Sequence, residues 1–280
     1  MRRRSFAVFA SIGFVLACGG QQAGGVPNAP PAGTELAGAS PVVHESIEYK
    51  AGDTPLEGYV AMPEKGADKR PGILVFHDWM GLGPNPKKRA DELAELGYVA
   101  LAADLYGKGV RPTDASQASK LATQYKEDRS TLRARARAAL DALVAMGNVD
   151  PAKVAAIGYC FGGTAALELA RSGAPIAAVV SFHGGLSTPH PEDAKNIKGR
   201  VLALHGADDP FVKADEVAAF QDEMRKAKVD WQFVAYGGTV HSFTISDAGN
   251  DNSKGAAYNE NADRRSWSAM RAFFSELWGK

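Results

Sequence analysis

The sequence predicts an α/β fold, a mostly parallel sheet with helices packed on both faces. Three observations predict it. Short apolar runs such as Ile73 to His77, Val99 to Ala103, Val154 to Ile157 and Val201 to Leu204 recur along the chain. Stretches with helical periodicity separate them. Continuous apolar runs suit strands covered on both faces, and regular strand–helix alternation is the pattern of a parallel sheet. Third, Gly158-Tyr159-Cys160-Phe161-Gly162-Gly163 stands between one such run and a helical stretch, Thr164 to Ala170. Strand, sharp glycine-flanked turn, helix is the context of a nucleophile elbow, here with cysteine where serine is usual.

The N-terminus precedes the fold. Arg2-Arg3-Arg4 reads as a basic n-region and Phe6 to Ala17 as an apolar h-region too short for a stable membrane span. Val15-Leu16-Ala17-Cys18 has the pattern of a bacterial lipobox, so residues 1–17 read as a signal peptide and Cys18 as a lipid anchor. An ordinary cleaved secretory signal is the alternative, and Arg3-Arg4-Ser5-Phe6 is similar to a twin-arginine signal. An exported, membrane-anchored lipoprotein is the expectation. Residues 18–41, rich in Gly, Gln, Pro, Ala and Ser, show no apolar period and read as a tether. The domain is expected over residues 42–280, a length that one α/β domain can occupy.

Within it, Val43 to Tyr49 and Leu56 to Met62 are expected strands joined through Gly52-Asp53. Ile73 to His77 is a buried strand, Lys87 to Leu96 a helix closed by Gly97, and Val99 to Ala103 the next strand. Ala115 to Met146 is helical, with a break near Asp128-Arg129-Ser130, and Gly147 and Pro151 end it. Arg129, Arg133 and Arg137 recur every four residues, the pattern of a solvated helix face.

Charge excludes some functions. Basic and acidic side chains number 32 each, and removing Arg2 to Arg4 leaves 29 basic against 32 acidic. A weakly acidic domain offers no basic face for nucleic acid. The two cysteines, Cys18 and Cys160, fall in leader and elbow, so no disulfide framework exists. Gly81-Leu82-Gly83 lacks a third glycine, and Pro84 and Pro86 remove amide donors a phosphate would need. His77, His183 and His205 end apparent strands without partners at metal-ligand spacing. No cofactor and no metal are expected.

The chemistry-bearing residues come in a fixed order. In the elbow, Gly158 and Gly162 remove side chains beside the nucleophile, and the Phe161 N–H faces the space where an oxyanion would form. A buried cysteine in a glycine-rich turn is the plainer reading. Downstream, Val201 to Leu204 runs into His205-Gly206-Ala207-Asp208-Asp209-Pro210, and Trp231 to Tyr236 into Gly237-Gly238-Thr239-Val240-His241. Nucleophile, acid and histidine thus sit at three separate strand ends, in the order such a triad takes on this kind of sheet. Either Asp208 or Asp209 can serve as the acid on this reading.

These motifs, with His77-Asp78-Trp79-Met80-Gly81, resemble the dienelactone hydrolase family of the α/β-hydrolase superfamily over roughly residues 43–280. The resemblance implies an α/β-hydrolase fold and a carboxylic ester or lactone hydrolase. It makes Cys160 the nucleophile, His241 the base and Asp209, the fourth residue of G-x-x-D-x-x-V, the acid. It makes the Trp79 N–H the second oxyanion donor beside Phe161. Asp78 matches a glutamate that holds the resting thiol, one methylene shorter here. Tyr159 is placed with the pocket residues. Two substrate-binding arginines of the family match Lys108 and Ile245, so one cation is a lysine and the other is missing. Lysine does not reproduce bidentate carboxylate recognition, so a small anionic lactone is expected to bind weakly and a neutral ester to do comparatively well, its acyl or alcohol part resting on Trp79, Met80 and Phe161. The alternative function is a lipid-anchored binding protein on the same fold without significant turnover.

Overall fold

The computed structural model describes residues 41–64 and 68–279. The expected signal peptide, Cys18 and nearly all of the tether lie outside the described residues. Among the described residues no helix is long and apolar enough to cross a membrane.

Among the described residues eight strands form one sheet: β1 (Val42–Ala51), β2 (Thr54–Pro63), β3 (Arg70–Phe76), β4 (Val99–Ala103), β5 (Val149–Tyr159), β6 (Ala178–Phe182), β7 (Arg200–Gly206) and β8 (Trp231–Tyr236). Their order is β1-β2-β4-β3-β5-β6-β7-β8. β1 pairs antiparallel with β2, and β2 antiparallel with β4. From β4 to β8 every pairing is parallel. Gly52, at φ 58°, makes the turn between β1 and β2, which is the left-handed conformation glycine adopts without steric cost.

Among the described residues six α-helices cover the sheet: α1 (Pro84–Glu95), α2 (Ala115–Glu127), α3 (Arg129–Val144), α4 (Phe161–Arg171), α5 (Ala214–Ala227) and α6 (Glu260–Trp278). The period of the strands assigns the two layers. In β5, Val154 and Ala156 pack with Leu132, Leu143, Leu167 and Phe220 on the α3–α4–α5 side. Ala155, Ile157 and Tyr159 pack with Leu93, Met270 and Phe274 on the α1–α6 side. Successive side chains of a strand point to opposite faces, so each buried strand feeds both cores.

The starts of α1 and β5 differ from the sequence reading for reasons that involve proline. α1 begins at Pro84 rather than Lys87, because proline at the first helical positions lacks only a donor that has no intrahelical partner there. β5 begins at Val149, ahead of Pro151. The pairing with β3 shifts between Pro71 and Gly72, so residues 151–153 bulge out of the ladder, which is how a strand tolerates proline. The break near Asp128 is real: Asp128 accepts the Thr131 N–H (3.0 Å) and caps α3.

The arginine stripe of α3 is not uniformly solvated. Arg133 reaches Glu168 of α4 and Asp193 (2.8 and 2.6 Å). Fully buried Arg171 makes a two-pronged contact with Glu223 of α5 and holds Glu168 and the Leu186 carbonyl. Only Arg137 stays on a half-exposed pair, with Asp141. The buried Arg171, Glu168 and Glu223 pair with one another, whereas Arg129 reaches only the Ser187 carbonyl (3.4 Å) and its Nε and Nη1 are buried without a hydrogen-bond partner among the described residues.

Candidate active site

The turn after β5 is built on missing side chains. A Cβ on Gly158 would lie 2.0 Å from the Gly162 carbonyl oxygen, and one on Gly162 would lie 2.2 Å from the Phe76 carbonyl oxygen. Both are impossible contacts, so α4 approaches β3 and β5 only because these positions are glycine. Between them Cys160 takes φ 54° and ψ −115°, a strained conformation held by its N–H bond to the Phe182 carbonyl (3.0 Å).

The loops after β7 and β8 deliver the other two groups. Gly206 lets them meet, since a Cβ there would lie 2.6 Å from the Thr239 and Val240 oxygens. The Asp208 N–H bonds the Thr239 carbonyl (3.0 Å). The His241 backbone pairs with the segment around Ala256. Thus fixed, His241 lies with Nε2 3.1 Å from Cys160 Sγ and Nδ1 2.7 Å from Asp209 Oδ2. The other Asp209 oxygen accepts the Phe211 N–H (2.8 Å). Asp208 is exposed, and the buried Asp209 is the acid that meets the imidazole.

Electrostatics follow from this contact. Burial pushes the Cys160 thiol up, but the charge and hydrogen bond of His241 outweigh it and leave the thiol below its ordinary value. Burial pushes His241 down, yet Cys160 and Asp209 together raise it to about 10. The favoured charge state is a thiolate–imidazolium pair. It predicts that iodoacetamide alkylation of Cys160 keeps its rate well below pH ~8.5, the titration point of an ordinary cysteine. Alkylation rates of the native and urea-unfolded protein across pH 5–10 check this. A native midpoint at or above the unfolded one would remove the ion pair.

Two N–H groups border the thiol turn without acceptors among the described residues, Phe161 at the start of α4 and Trp79 after β3. The Trp79 amide is held from both sides. The Asp78 carbonyl accepts His77 Nδ1 (2.6 Å) and the Gly81 N–H (3.2 Å), and the Trp79 carbonyl accepts the Tyr106 hydroxyl (3.0 Å). In a trans peptide the N–H points away from the carbonyl, so pinning the Asp78 carbonyl fixes the Trp79 N–H. The tautomer of His77 is determined: the Leu105 N–H donates to Nε2 (3.1 Å), so Nδ1 carries the hydrogen. Burial lowers this histidine to about pH 4 and keeps it neutral.

Several expected site residues lie elsewhere. Tyr159 is fully buried, stacked on Phe182 (4.7 Å) beneath the sheet, with Arg89 against its ring (5.6 Å). It follows the alternation of β5 into the α1–α6 layer and does not line a pocket. Lys108 pairs with Glu48 of β1, because the turn through Gly107 and Gly109, both at positive φ, swings it towards the sheet edge. Asp78 does not hold the thiol, whose partner is His241. Its carboxylate accepts the Met80 N–H (2.8 Å) and burial raises its pKa. The Phe161 side chain is buried against His77 and Tyr106, so it is no substrate surface. Trp79 and Met80 are partly exposed beside the site.

Other residues enter that the sequence reading did not assign to the site. His183, at φ 40° after β6, sets its ring 5.2 Å from that of His241 and contacts Thr244 Oγ1 (2.7 Å). Phe211 stands edge-on to His241 at 5.4 Å. Its position two residues after Asp209 was a usable signal. The sequence placed His183 at an apparent strand end, as it did His77 and His205, without singling it out as the one that meets His241.

A mostly parallel sheet, a thiol on the strained turn at its carboxyl edge after β5, and a carboxylate and imidazole on the loops after β7 and β8 define an α/β-hydrolase arrangement. The sequence profile of the dienelactone hydrolase family matches residues 56–278. The solved structure called m3DLH is 47% identical, with a TM-score of 0.81, covering 85% of this chain and 99% of its own. A dienelactone hydrolase-like promiscuous phosphotriesterase from metagenomic libraries is 46% identical, with a TM-score of 0.80, covering 84% and 98%. Protein usf of Aquifex pyrophilus is 31% identical over 237 residues, 83% of this chain and 98% of its own length. The chain belongs to the dienelactone hydrolase family, and it is a hydrolase of the ester and lactone type.

Proposed function

We propose that this protein hydrolyses neutral carboxylic esters or lactones through a thioester on Cys160. The observation that carries the reading is the continuous contact Cys160 Sγ–His241 Nε2–Asp209 Oδ2, at 3.1 and 2.7 Å. The thiolate attacks the carbonyl carbon, a C–S bond forms, and the carbonyl electron pair moves onto oxygen. The Phe161 and Trp79 N–H groups receive that oxyanion. Collapse breaks the C–O bond, and the His241 imidazolium gives its proton to the departing alkoxide. The neutral imidazole then takes a proton from water, whose oxygen attacks the thioester. Breaking the C–S bond releases the acid and restores the ion pair. Asp209 stabilises the imidazolium in both halves. A pure binding protein has no use for an ion-paired thiol, which counts against that alternative.

The preference for uncharged substrates rests on where the cations point. Lys108 is paired with Glu48, and Arg111 is engaged by Glu57 and the Leu82 carbonyl. An uncharged ester is also the substrate type in the name of the 46% identical relative, since a phosphotriester carries no charge. The expected result is a higher kcat/KM for a neutral aryl ester than for a carboxylate-bearing enol lactone on the same preparation. The reverse preference would overturn the neutral-substrate reading. It would direct attention to Lys126, at the end of α2, whose charge acts on the thiol.

A further inference from the structure

The group that leaves the acyl carbon must end beside His241, because Nε2 is the atom that hands it a proton. A cleft of about 530 Å³ opens on that side. It runs between the segment after β6 and α5, and its apolar lining is Leu186, Pro191, Phe211, Ala219 and Phe220. One of its lining residues, Phe211, touches the imidazole, and another, Leu186, lies close in the chain to a residue that does. The Phe211 ring stands perpendicular to that of His241 at 5.4 Å. Leu186 follows His183 by three residues, and the His183 ring is 5.2 Å from His241.

We propose that this cleft is the leaving-group site and that it takes the apolar, uncharged alcohol part of an ester. The assignment rests on the acyl-transfer reading above. A volume of this size falls in the range of small-molecule sites. Its walls are fixed: Glu216 of α5 accepts the Leu186 and Ser187 N–H groups (2.6 and 2.9 Å) through one oxygen, and Arg171 binds both Glu223 and the Leu186 carbonyl. Phe211 is 61% exposed although its ring stands edge-on to the imidazole. The other exposed large apolar residues, Trp79, Met80 and Val110, follow β3 and β4. In the strand order those loops lie on the opposite side of the Cys160 turn from Phe211. The thiol is thus flanked by two separate apolar surfaces, and only the Phe211 surface adjoins the proton donor. The charges around the cleft offset one another: Arg171 pairs with Glu223, and Lys213 and Arg129, the latter on the Ser187 carbonyl (3.4 Å), stand against Asp215 and Glu216. The apolar lining is what favours an uncharged alcohol. In the reaction the C–O bond breaks, the oxygen keeps the bonding pair and takes the His241 proton, and a neutral alcohol departs through the cleft.

The decisive comparison uses acetates that share one acyl group: 1-naphthyl, 4-carboxyphenyl and 2,2,2-trifluoroethyl acetate. Ala219→Trp, on the exposed side of α5, fills the cleft away from the triad. It should lower kcat/KM for the naphthyl ester roughly tenfold or more and leave the trifluoroethyl ester nearly unchanged. Breakdown of the common acetyl-enzyme, followed by rapid quench, should not change, because the alcohol has already left. Phe211→Ala should shift selectivity in the same direction. In the native enzyme the naphthyl ester should exceed the carboxyphenyl ester. Equal losses on large and small esters, slowed deacetylation in Ala219→Trp, or preference for the carboxyphenyl ester would overturn the cleft assignment. No turnover of any of the three esters by the native protein would instead overturn the ester reading, and this assignment with it.

Discussion

Cys160→Ala is expected to reduce hydrolysis of p-nitrophenyl acetate by on the order of 10⁴–10⁶, with the fold intact. The Cys160 Sγ is the atom in contact with His241 Nε2, and no second thiol occurs among the described residues. Removing it leaves the oxyanion donors and the imidazole without a group to form the acyl-enzyme. Stability should change little, by about 1 kcal/mol, because the turn depends on Gly158, Gly162 and the Cys160 backbone rather than on the sulfur. Circular dichroism and Tm check the fold, and a stopped-flow burst checks the acyl-enzyme. Cys160→Ser should also lose most activity. A hydroxyl is far less acidic than a thiol, so the imidazole would hold a neutral alcohol in place of an ion pair. Substantial turnover by folded Cys160→Ala would sink the cysteine mechanism.

The parts legible in the sequence were those whose chemistry is local. The elbow could be read because two glycines, a cysteine and a strand-to-helix change are contiguous. The Cys160–Asp209–His241 set could be found because each member follows its own apolar strand, and sheet order then brings the strand ends together. Tyr159 was misplaced although its direction was available. Counting by two along β5 from Ala155 puts it in the α1–α6 layer. Lys108 was not legible, because two positive-φ glycines around it break any periodicity that could say where a side chain points. The Asp78 role was carried over from a longer residue, and the shorter carboxylate instead closes onto the Met80 N–H within its own turn. The hydrogen bonds of His77 could not be anticipated either. They depend on Leu105 of a different strand–loop unit reaching under the loop after β3. The cleft beside Phe211 is a product of packing between the segment after β6 and α5, which a linear pattern does not encode.

Asp209→Asn should cost on the order of 10³–10⁴ in turnover, as the matching change does in the serine triad template, whereas Asp208→Asn should change turnover by less than about threefold. The distinction is geometric. Asp209 is buried with Oδ2 2.7 Å from His241 Nδ1, while Asp208 is exposed and acts through its backbone bond to Thr239. An asparagine at 209 can offer Nδ1 a donor N–H in place of a carboxylate. That stabilises the tautomer with hydrogen on Nε2, which cannot take the thiol proton. It also removes one of the two causes that hold the imidazole near pH 10. The sign of the pH effect follows. His241 must be protonated to release the alkoxide, so lowering its pKa moves the alkaline limit of kcat/KM to lower pH. Asp208→Asn should leave that limit in place. Asp209 also accepts the Phe211 N–H (2.8 Å), so asparagine can keep the loop if its oxygen turns to that amide, and its nitrogen then faces His241. Paired pH–rate profiles of the two variants, with Tm as control, separate the roles. A larger loss in Asp208→Asn, or an unmoved alkaline limit in Asp209→Asn, would remove Asp209 as the group that orients the base.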